Sequence, residues 1–169
     1  MKKTILLFAS TVLMASSLFT ACKKNNDSNN TDQLADLGKA TITGRVYARL
    51  VDTIGANGAQ VAPANTVITA WIDTRDLVVN PTGGAYAKRY YTASVDSSGN
   101  YKLVVDVSKN QPATVTILPQ QFQYNQVRQT NGIIHPDSIY KAQKTYSPGF
   151  TSPVSAYNGL TAIQDISYQ

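Results

Sequence analysis

Few side chains in this 169-residue sequence could carry out acid–base or nucleophilic chemistry. The chain contains one histidine, one cysteine and no glutamate. A Ser–His–Asp relay would need His135 oriented by a carboxylate such as Asp137. These two residues flank Pro136 in a segment that is typical of an exposed turn, and the sequence has no nucleophile elbow. We therefore predict no catalytic residues and expect that the protein is not an enzyme.

The sequence also offers little to a metal ion or a cofactor. A tetrahedral zinc site needs several Cys or His ligands, which this composition does not supply. Asp96, Ser98 and Asn100 place oxygen atoms at alternate positions, as calcium loops do, but the further oxygen ligands that calcium requires are missing. A tight turn explains the segment better, because Asp accepts backbone N–H groups and Gly99 supplies a positive φ. We predict no metal site and no cofactor, and we assign Asp96, Gly99 and Asn100 to a structural turn.

The single cysteine, Cys22, follows an N-terminal stretch with a recognisable order. Lys2 and Lys3 follow the initial methionine, residues 4–21 are mainly apolar, and small Ala21 comes directly before the cysteine. This order is typical of a secretory signal. Leu18-Phe19-Thr20-Ala21-Cys22 resembles the lipobox of bacterial lipoproteins, in which diacylglycerol alkylates the thiol and the cysteine becomes the new N-terminus.

The lipobox resemblance implies a signal peptide at residues 1–21 and lipidation of Cys22, including palmitate, in a cell-envelope protein. The membrane would then be the partner of Cys22, and we expect it to be the outer membrane. An ordinary secretory signal cut near Ala21 and a buried structural cysteine are the alternatives. A membrane-spanning helix is disfavoured, since six hydroxyl side chains interrupt the apolar run. Acidic residues directly after the cysteine resemble a surface-export signal of Bacteroidetes-type lipoproteins, but residues 23–26 precede Asp27 here, so periplasmic and surface display both stay open.

Charge argues against nucleic acid as a partner. Without residues 1–21 the chain has 13 Lys and Arg against 10 Asp, and its formal charge falls from +5 to +3. The basic residues are scattered singly, whereas nucleic-acid binding calls for a clustered basic face. Residues 23–38 are rich in Asn, Asp, Ser and Thr and lack apolar bulk, which predicts a lipid-anchored flexible tether at residues 22–38. Residues 39–169 are then a single domain.

The amino-acid composition of that domain is typical of β-sheets. Thr, Val, Ile and Tyr are abundant, and clusters of Gly, Pro, Asn and Asp separate short apolar or alternating segments. Predicted strands lie at residues 40–51, 66–73, 86–95, 101–107, 113–118 and 160–168, with a further one around Phe122, Tyr124 and Val127. We expect the strand at 66–73 to be central and covered on both faces, because it does not alternate. Asp96-Ser97-Ser98-Gly99-Asn100 predicts a hairpin between its flanking strands, and Asp137 could cap a short helix through Tyr146.

Three of these segments resemble a known family when taken in order. They are Thr-x-Thr-Gly-x-Val at residues 41–46, Pro-Ala-Asn-Thr-Val at 63–67, and Asp-x-x-Gly-Asn-Tyr at 96–101. Together they resemble the transthyretin-like, carboxypeptidase regulatory-like β-sandwiches over roughly residues 40–118. The resemblance implies a single Ig-like Greek-key β-sandwich of about seven to eight strands and implies no catalysis. Beyond Pro119 the chain departs from the family pattern, so the resemblance implies no structure or role for residues 120–157.

The remaining feature that could indicate a function is the large number of aromatic residues. Ten tyrosines are present, and a candidate ligand face comprises Tyr47, Tyr86, Tyr90 and Tyr91. Exposed aromatic rings can stack on sugars or anchor protein partners, although tyrosine is also a good sheet residue. Our leading hypothesis is a non-catalytic envelope lipoprotein whose sandwich is a structural or protein-interaction module. The alternative is a surface lipoprotein that binds glycans through its tyrosines and residues 120–157.

Overall fold

A computed structural model describes residues 33–53, 55–56, 58–130 and 138–169. Cys22, the predicted signal peptide and residues 22–32 of the predicted tether lie outside the described residues, as do His135 and Asp137. In the described part the only helix is the 3-10 turn Thr74–Leu77, and the predicted all-β fold is confirmed. In chain order the strands are β1 (Leu37–Ala48), β2 (Val51–Asp52), β3 (Gln60–Val61), β4 (Val67–Asp73), β5 (Lys88–Ser94), β6 (Asn100–Ser108), β7 (Ala113–Pro119), β8 (Phe122–Gln129), β9 (Ile139–Tyr146), β10 (Val154–Ala156), β11 (Thr161–Ile163) and β12 (Ile166–Tyr168).

Three sheets account for these strands. The first is built on β1, which pairs antiparallel with β6 and β3 and parallel with β11 and β12. The second has the order β10-β7-β4-β5, and the third has the order β2-β8-β9. Seven strands are seven residues or longer, in line with the predicted seven to eight, and the others are two- or three-residue pieces.

The core lies between the first and second sheets, because each long strand buries alternate side chains. In β1 the predicted alternation holds, and Ile42, Val46 and Ala48 are fully buried. The core cluster also takes in Leu103, Val105 and Val107 from β6, Ile68, Ala70 and Ile72 from β4, and Val115 and Ile117 from β7. The two sheets therefore bury one shared apolar layer, as a β-sandwich does.

Strand β4 is central, as predicted, but it is not covered on both faces. Ile68, Ala70 and Ile72 are buried, whereas Thr69 and Trp71 are half-buried on the opposite face. The apolar run lacks alternation because Val67 and Trp71 occupy outward positions of β4.

The turn at residues 96–100 forms as the residue types predict, but the predicted hairpin is wrong. The Asp96 N–H donates to the Asn100 carbonyl over 2.8 Å, and the Gly99 N–H donates to the Asp96 carbonyl over 3.1 Å. The flanking strands nevertheless belong to different sheets: β5 pairs with β4 over seven residues and β6 pairs with β1 over nine. Turn chemistry specifies a reversal of the chain, whereas these longer pairings decide which sheet each strand joins.

The predicted last strand is divided into β11 and β12, which pair with successive parts of β1. At the break, the Gln164 N–H donates to the Thr43 carbonyl over 2.8 Å, and Asp165 Oδ1 accepts the Arg45 N–H over 2.7 Å. A Cβ at Gly44 would lie 1.9 Å from the Gln164 carbonyl oxygen. Glycine is therefore required in β1 where the crossing chain approaches closely.

The folded part begins earlier than the predicted boundary at residue 39. The Gln33 carbonyl accepts the Val79 N–H over 2.9 Å, and the Ala35 N–H donates to the Leu77 carbonyl over 2.8 Å. Asp36 pairs with Lys109 Nζ at 2.9 Å. The final residues assigned to the tether therefore belong to the domain, because their backbone groups bond to residues in and beside the 3-10 turn.

The predicted helix at residues 137–146 is wrong. Its described part is β9, which pairs antiparallel with β8 from Phe122 opposite Tyr146 to Gln129 opposite Ile139. Ile139, Tyr140, Thr145 and Tyr146 are β-formers, so local preference and pairing agree on a strand.

We predict that Gly99→Ala destabilises the domain. Gly99 has a φ of +81°, and a Cβ there would lie 2.6 Å from the Val61 Cβ. A left-handed non-glycine residue costs ~1–2 kcal/mol, and overpacking adds ~1–3 kcal/mol. Urea unfolding should show a loss of about 2–5 kcal/mol.

Gly83→Ala is the control, because a Cβ at Gly83 meets nothing within 4 Å. We expect it to change the free energy of unfolding by less than about 1 kcal/mol. Equal losses in the two variants would contradict the close contact at Gly99.

Candidate functional site

The Asp96 carboxylate is occupied by the backbone of its own turn. Its Oδ1 accepts the N–H groups of Ser98 and Asn100, each over 2.8 Å. The bond from the Asn100 N–H is the main reason that the pKa of Asp96 is lowered, and the bond from the Ser98 N–H acts in the same direction. This arrangement stabilises the reversal at Gly99 and Asn100. Within the described ranges, no three metal-ligating side chains form a cluster.

The four tyrosines that were grouped as a candidate ligand face do not lie on one surface of the domain. Tyr47 lies on β1 in the first sheet, and Tyr86 lies in the loop before β5 with its hydroxyl accepting the Thr82 N–H over 2.7 Å. Tyr90 and Tyr91 are consecutive in β5 and point to opposite sides. Tyr90 is 60% exposed, whereas Tyr91 packs against the core.

Tyr90 instead belongs to an aromatic surface on the second sheet. It lies directly opposite Trp71 of β4, and Thr116 of β7 lies on the other side of Trp71. Lys88 Nζ stands 3.9 Å from the centroid of a Trp71 ring. This surface, which we call the Trp71 face, combines adjacent aromatic rings with hydroxyl and ammonium groups, and sequence reasoning missed Trp71 because a run without alternation hides an outward residue.

An open depression of about 660 Å³ lies beside the Asp96 turn. Its lining includes Thr43, Arg45, Lys102 and the carboxylates of Asp96 and Asp165. Both carboxylates accept backbone N–H groups, which fixes the strand crossing and the turn. The depression therefore presents hydrogen-bonding groups whose acidic members already have structural partners.

A charged cluster on one buried carboxylate ties the two main sheets together. Asp106 of β6 has a side chain only 7% exposed and bonds to Lys39 Nζ of β1. Arg89 of β5 places Nη2 at 2.7 Å from Asp106 Oδ2, and the Tyr91 hydroxyl donates to the same oxygen over 3.1 Å. Because β5 lies in the second sheet and β6 in the first, this cluster closes the side of the sandwich where no backbone ladder joins them.

The electrostatics of the cluster favour the ionised carboxylate. Burial alone would raise the pKa of Asp106, but the hydrogen bonds from Lys39 and Tyr91 and the positive charges of Arg89 and Lys39 outweigh it. The pKa of Asp106 is therefore lowered. Burial is the main reason that the pKa of the Tyr91 hydroxyl is raised, so this hydroxyl remains a donor at neutral pH.

The third sheet is attached to the sandwich at its base. The Tyr146 hydroxyl and the Gln126 amide both donate to the Arg49 carbonyl, over 2.7 and 2.8 Å. The Phe122 ring stacks on Tyr146 at 5.0 Å and meets Tyr168 edge-on at 4.9 Å. Burial raises the pKa of Tyr168 to about 12, and its hydroxyl donates to the Gln120 carbonyl over 2.7 Å. These hydrogen bonds and ring contacts join β8 and β9 to Arg49 and to β12.

Away from this base, the β8–β9 hairpin is exposed. Ile139 is 66% exposed, Tyr140 is 44% exposed and Tyr124 is 40% exposed. The Gln143 amide donates to the Gln123 amide oxygen across the exposed face over 3.0 Å. Tyr124 lies in β8, where the sequence predicted a further strand. Ile139 and Tyr140 lie in β9, where it predicted a helix, although the aromatic and β-branched residues of β9 were a signal for a strand.

Comparisons of the chain with family models, curated proteins and solved structures return no match. The resemblance to transthyretin-like sandwiches and to lipoproteins therefore stays a prediction from the sequence.

We predict that Asp106→Asn destabilises the domain at neutral pH by about 1–3 kcal/mol, the usual range for a hydrogen bond to a charged group whose partners are left unmatched. Because the folded pKa of Asp106 lies below the unfolded value of ~3.9, the native carboxylate contributes fully above about pH 5. As the pH falls through the folded pKa, this contribution is lost. The difference in unfolding free energy between native protein and variant should therefore shrink below about pH 4.

Asp36→Asn is the matched control, because its ion pair with Lys109 is exposed, with 70% of the Asp36 side chain accessible. We expect it to change stability by less than about 1 kcal/mol. A pH-independent difference between native protein and Asp106→Asn would contradict the ionised cluster.

Proposed function

We propose that this protein is a non-catalytic, lipid-anchored protein of the cell envelope whose β-sandwich serves as a protein-interaction module. The anchor rests on the sequence, where a signal-like stretch ends at Cys22. The interaction role rests on one observation above all. The β8–β9 hairpin carries exposed apolar and aromatic side chains, including Ile139 and Tyr140, whereas its contacts with the sandwich are made by other residues, among them Tyr146, Phe122 and Gln126.

The length of the tether limits how far such a module can lie from the membrane surface. Eleven residues lead from Cys22 to Gln33, the first described residue of the domain. A chain of that length spans at most about 40 Å. An acyl anchor at Cys22 would therefore keep the domain within roughly one bilayer thickness of the membrane surface and raise its local concentration near envelope partners.

We predict that Cys22→Ala releases the protein from the membrane. The alanine has no thiol to carry lipid, so the full chain should move from the membrane fraction to the soluble fraction, and its mass should lack acyl chains. Ser28→Ala is the control, because it lies in the same polar segment and keeps the thiol. Continued membrane association of Cys22→Ala, with no change in acyl mass, would overturn the anchor.

Glycan binding is a second candidate, favoured by the Trp71 face. Tyr90 is exposed beside Trp71, and Thr92 and Thr116 place hydroxyls near them. Stacking on aromatic rings and hydrogen bonding to hydroxyls are how proteins hold sugars. Lys88 already lies over Trp71, so a sugar that stacked on that ring would displace it, which is why we rank this function second.

The glycan candidate predicts that Tyr90→Ala weakens binding by up to about tenfold in calorimetry with purified envelope polysaccharides, because an aromatic contact contributes up to roughly 1.5 kcal/mol. Tyr157→Ala is the matched control, since Tyr157 is 50% exposed and lies outside the Trp71 face. Absence of binding at millimolar polysaccharide would reject this candidate and leave the protein-interaction proposal in place.

A further inference from the structure

We propose that the outer edge of β9 binds an extended, acidic β-strand of a partner protein, which would add to the third sheet as a fourth strand. This inference rests on the proposed interaction function and names its partner class and its site. In the described part of the chain, β8 is the only strand that pairs with β9.

In the β8–β9 hairpin, the alternation of hydrogen-bonded and non-hydrogen-bonded pairs shows which backbone groups of β9 point to its outer edge. The Thr130 N–H donates to the Ser138 carbonyl over 3.0 Å, and their register continues that of β8 and β9. Hydrogen-bonded pairs recur at every second residue in an antiparallel ladder. The even-numbered residues of β9 therefore bond to β8, and Ile139, Lys141, Gln143 and Thr145 direct their N–H and C=O groups to the outer edge.

Two further contacts agree with this alternation of odd- and even-numbered residues. Ser147, the next odd-numbered residue, exchanges two backbone hydrogen bonds with Gln169 over 2.9 and 3.1 Å. On the other side of the sheet, the Val127 N–H donates to the Leu50 carbonyl over 3.0 Å. The outer edge is thus already used as a ladder at Ser147, and from Thr145 to Ile139 no described residue continues it.

The shape of this edge suits a long partner strand. The eight pairs between β8 and β9 keep one register, so β9 has no bulge, and its sequence contains no proline. Natural sheets usually protect an edge with bulges, prolines or short strands, because a regular edge pairs readily with other chains. Ile139 and Tyr140, both exposed, add apolar contact area beside the free backbone groups.

The positive charge of the β8–β9 hairpin indicates the chemistry of the partner strand. The described residues of the hairpin include Arg128, Lys141 and Lys144 and no carboxylate. A second copy of β9 on this edge would place four lysines on two adjacent strands, which disfavours self-pairing. A strand with carboxylates opposite Lys141 and Lys144 would gain from the same charges, and β-augmentation supplies affinity through the main chain and specificity through side chains.

The test uses the full chain in detergent micelles and a capped eight-residue peptide of Thr and Val with Glu at its third and sixth positions. This spacing matches the three-residue separation of Lys141 and Lys144. We expect binding at least about tenfold tighter than that of the same peptide with Lys in place of Glu. Amide-resolved hydrogen exchange should show added protection at Ile139, Lys141 and Gln143, with none at Tyr140.

Two variants separate the backbone from the charges. Gln143→Pro removes one outward N–H without touching the β8 ladder, so it should weaken Glu-peptide binding at least about tenfold while the thermal midpoint stays within a few degrees. Gln143→Thr is its control, since it keeps the N–H and should bind normally. The double variant Lys141→Glu with Lys144→Glu should reverse the preference toward the Lys peptide.

Equal binding of the two peptides, or protection elsewhere, would overturn the inference. So would a concentration-dependent dimer that Gln143→Pro abolishes, since a second copy would then be the occupant. A photo-crosslinker placed in whole cells at Gln143 and, separately, at Tyr90 distinguishes this failure from that of the proposed function. Crosslinks to protein at Tyr90 alone would leave an interaction module with a different surface, and none at either position would count against both ideas.

Discussion

Both edges of β1 are paired along most of its length, and the rest of the domain depends on this constraint. One edge pairs with β6 and then with β3, and the other pairs with β11 and then with β12. Each pairing consumes backbone N–H and C=O groups that would be costly to bury without partners. The alternate side chains of β1 are thereby held toward the second sheet, and Gly44 leaves the space that lets the crossing segment at Gln164 approach.

The acidic residues serve the domain itself. Asp96 and Asp165 accept backbone N–H groups at the turn and at the strand crossing, and Asp106 joins β1, β5 and β6 through three side chains. Asp36 and Asp52 pair with Lys109 and Arg49. In the described residues this distribution leaves β8 and β9 with cations and no carboxylate of their own, and the same hairpin carries exposed apolar side chains.

Local patterns predicted the strands of the sandwich better than their partners. Alternation in β1 and β6, and the Pro that closes β7, correctly placed these strands within a few residues. The Asp96 turn was predicted as a reversal, but its two strands belong to different sheets, because pairing depends on residues far away in the sequence. The candidate aromatic residues show the same limit of local patterns. Tyr90 and Tyr91 lie on opposite faces of the second sheet, and Trp71 was left out of the candidate ligand face.

By itself the sequence determined the all-β class, the turn at Gly99 and the N-terminal pattern that ends at Cys22, because these follow from side-chain preferences over a few neighbouring residues. The tertiary structure alone decided that residues 33–38 join the domain, that the strands flanking the Gly99 turn enter different sheets and that, among the described residues, none pairs with the outer edge of β9. Each of these depends on which distant backbone groups meet. Hydrogen bonds between strands join groups that no short window of sequence contains.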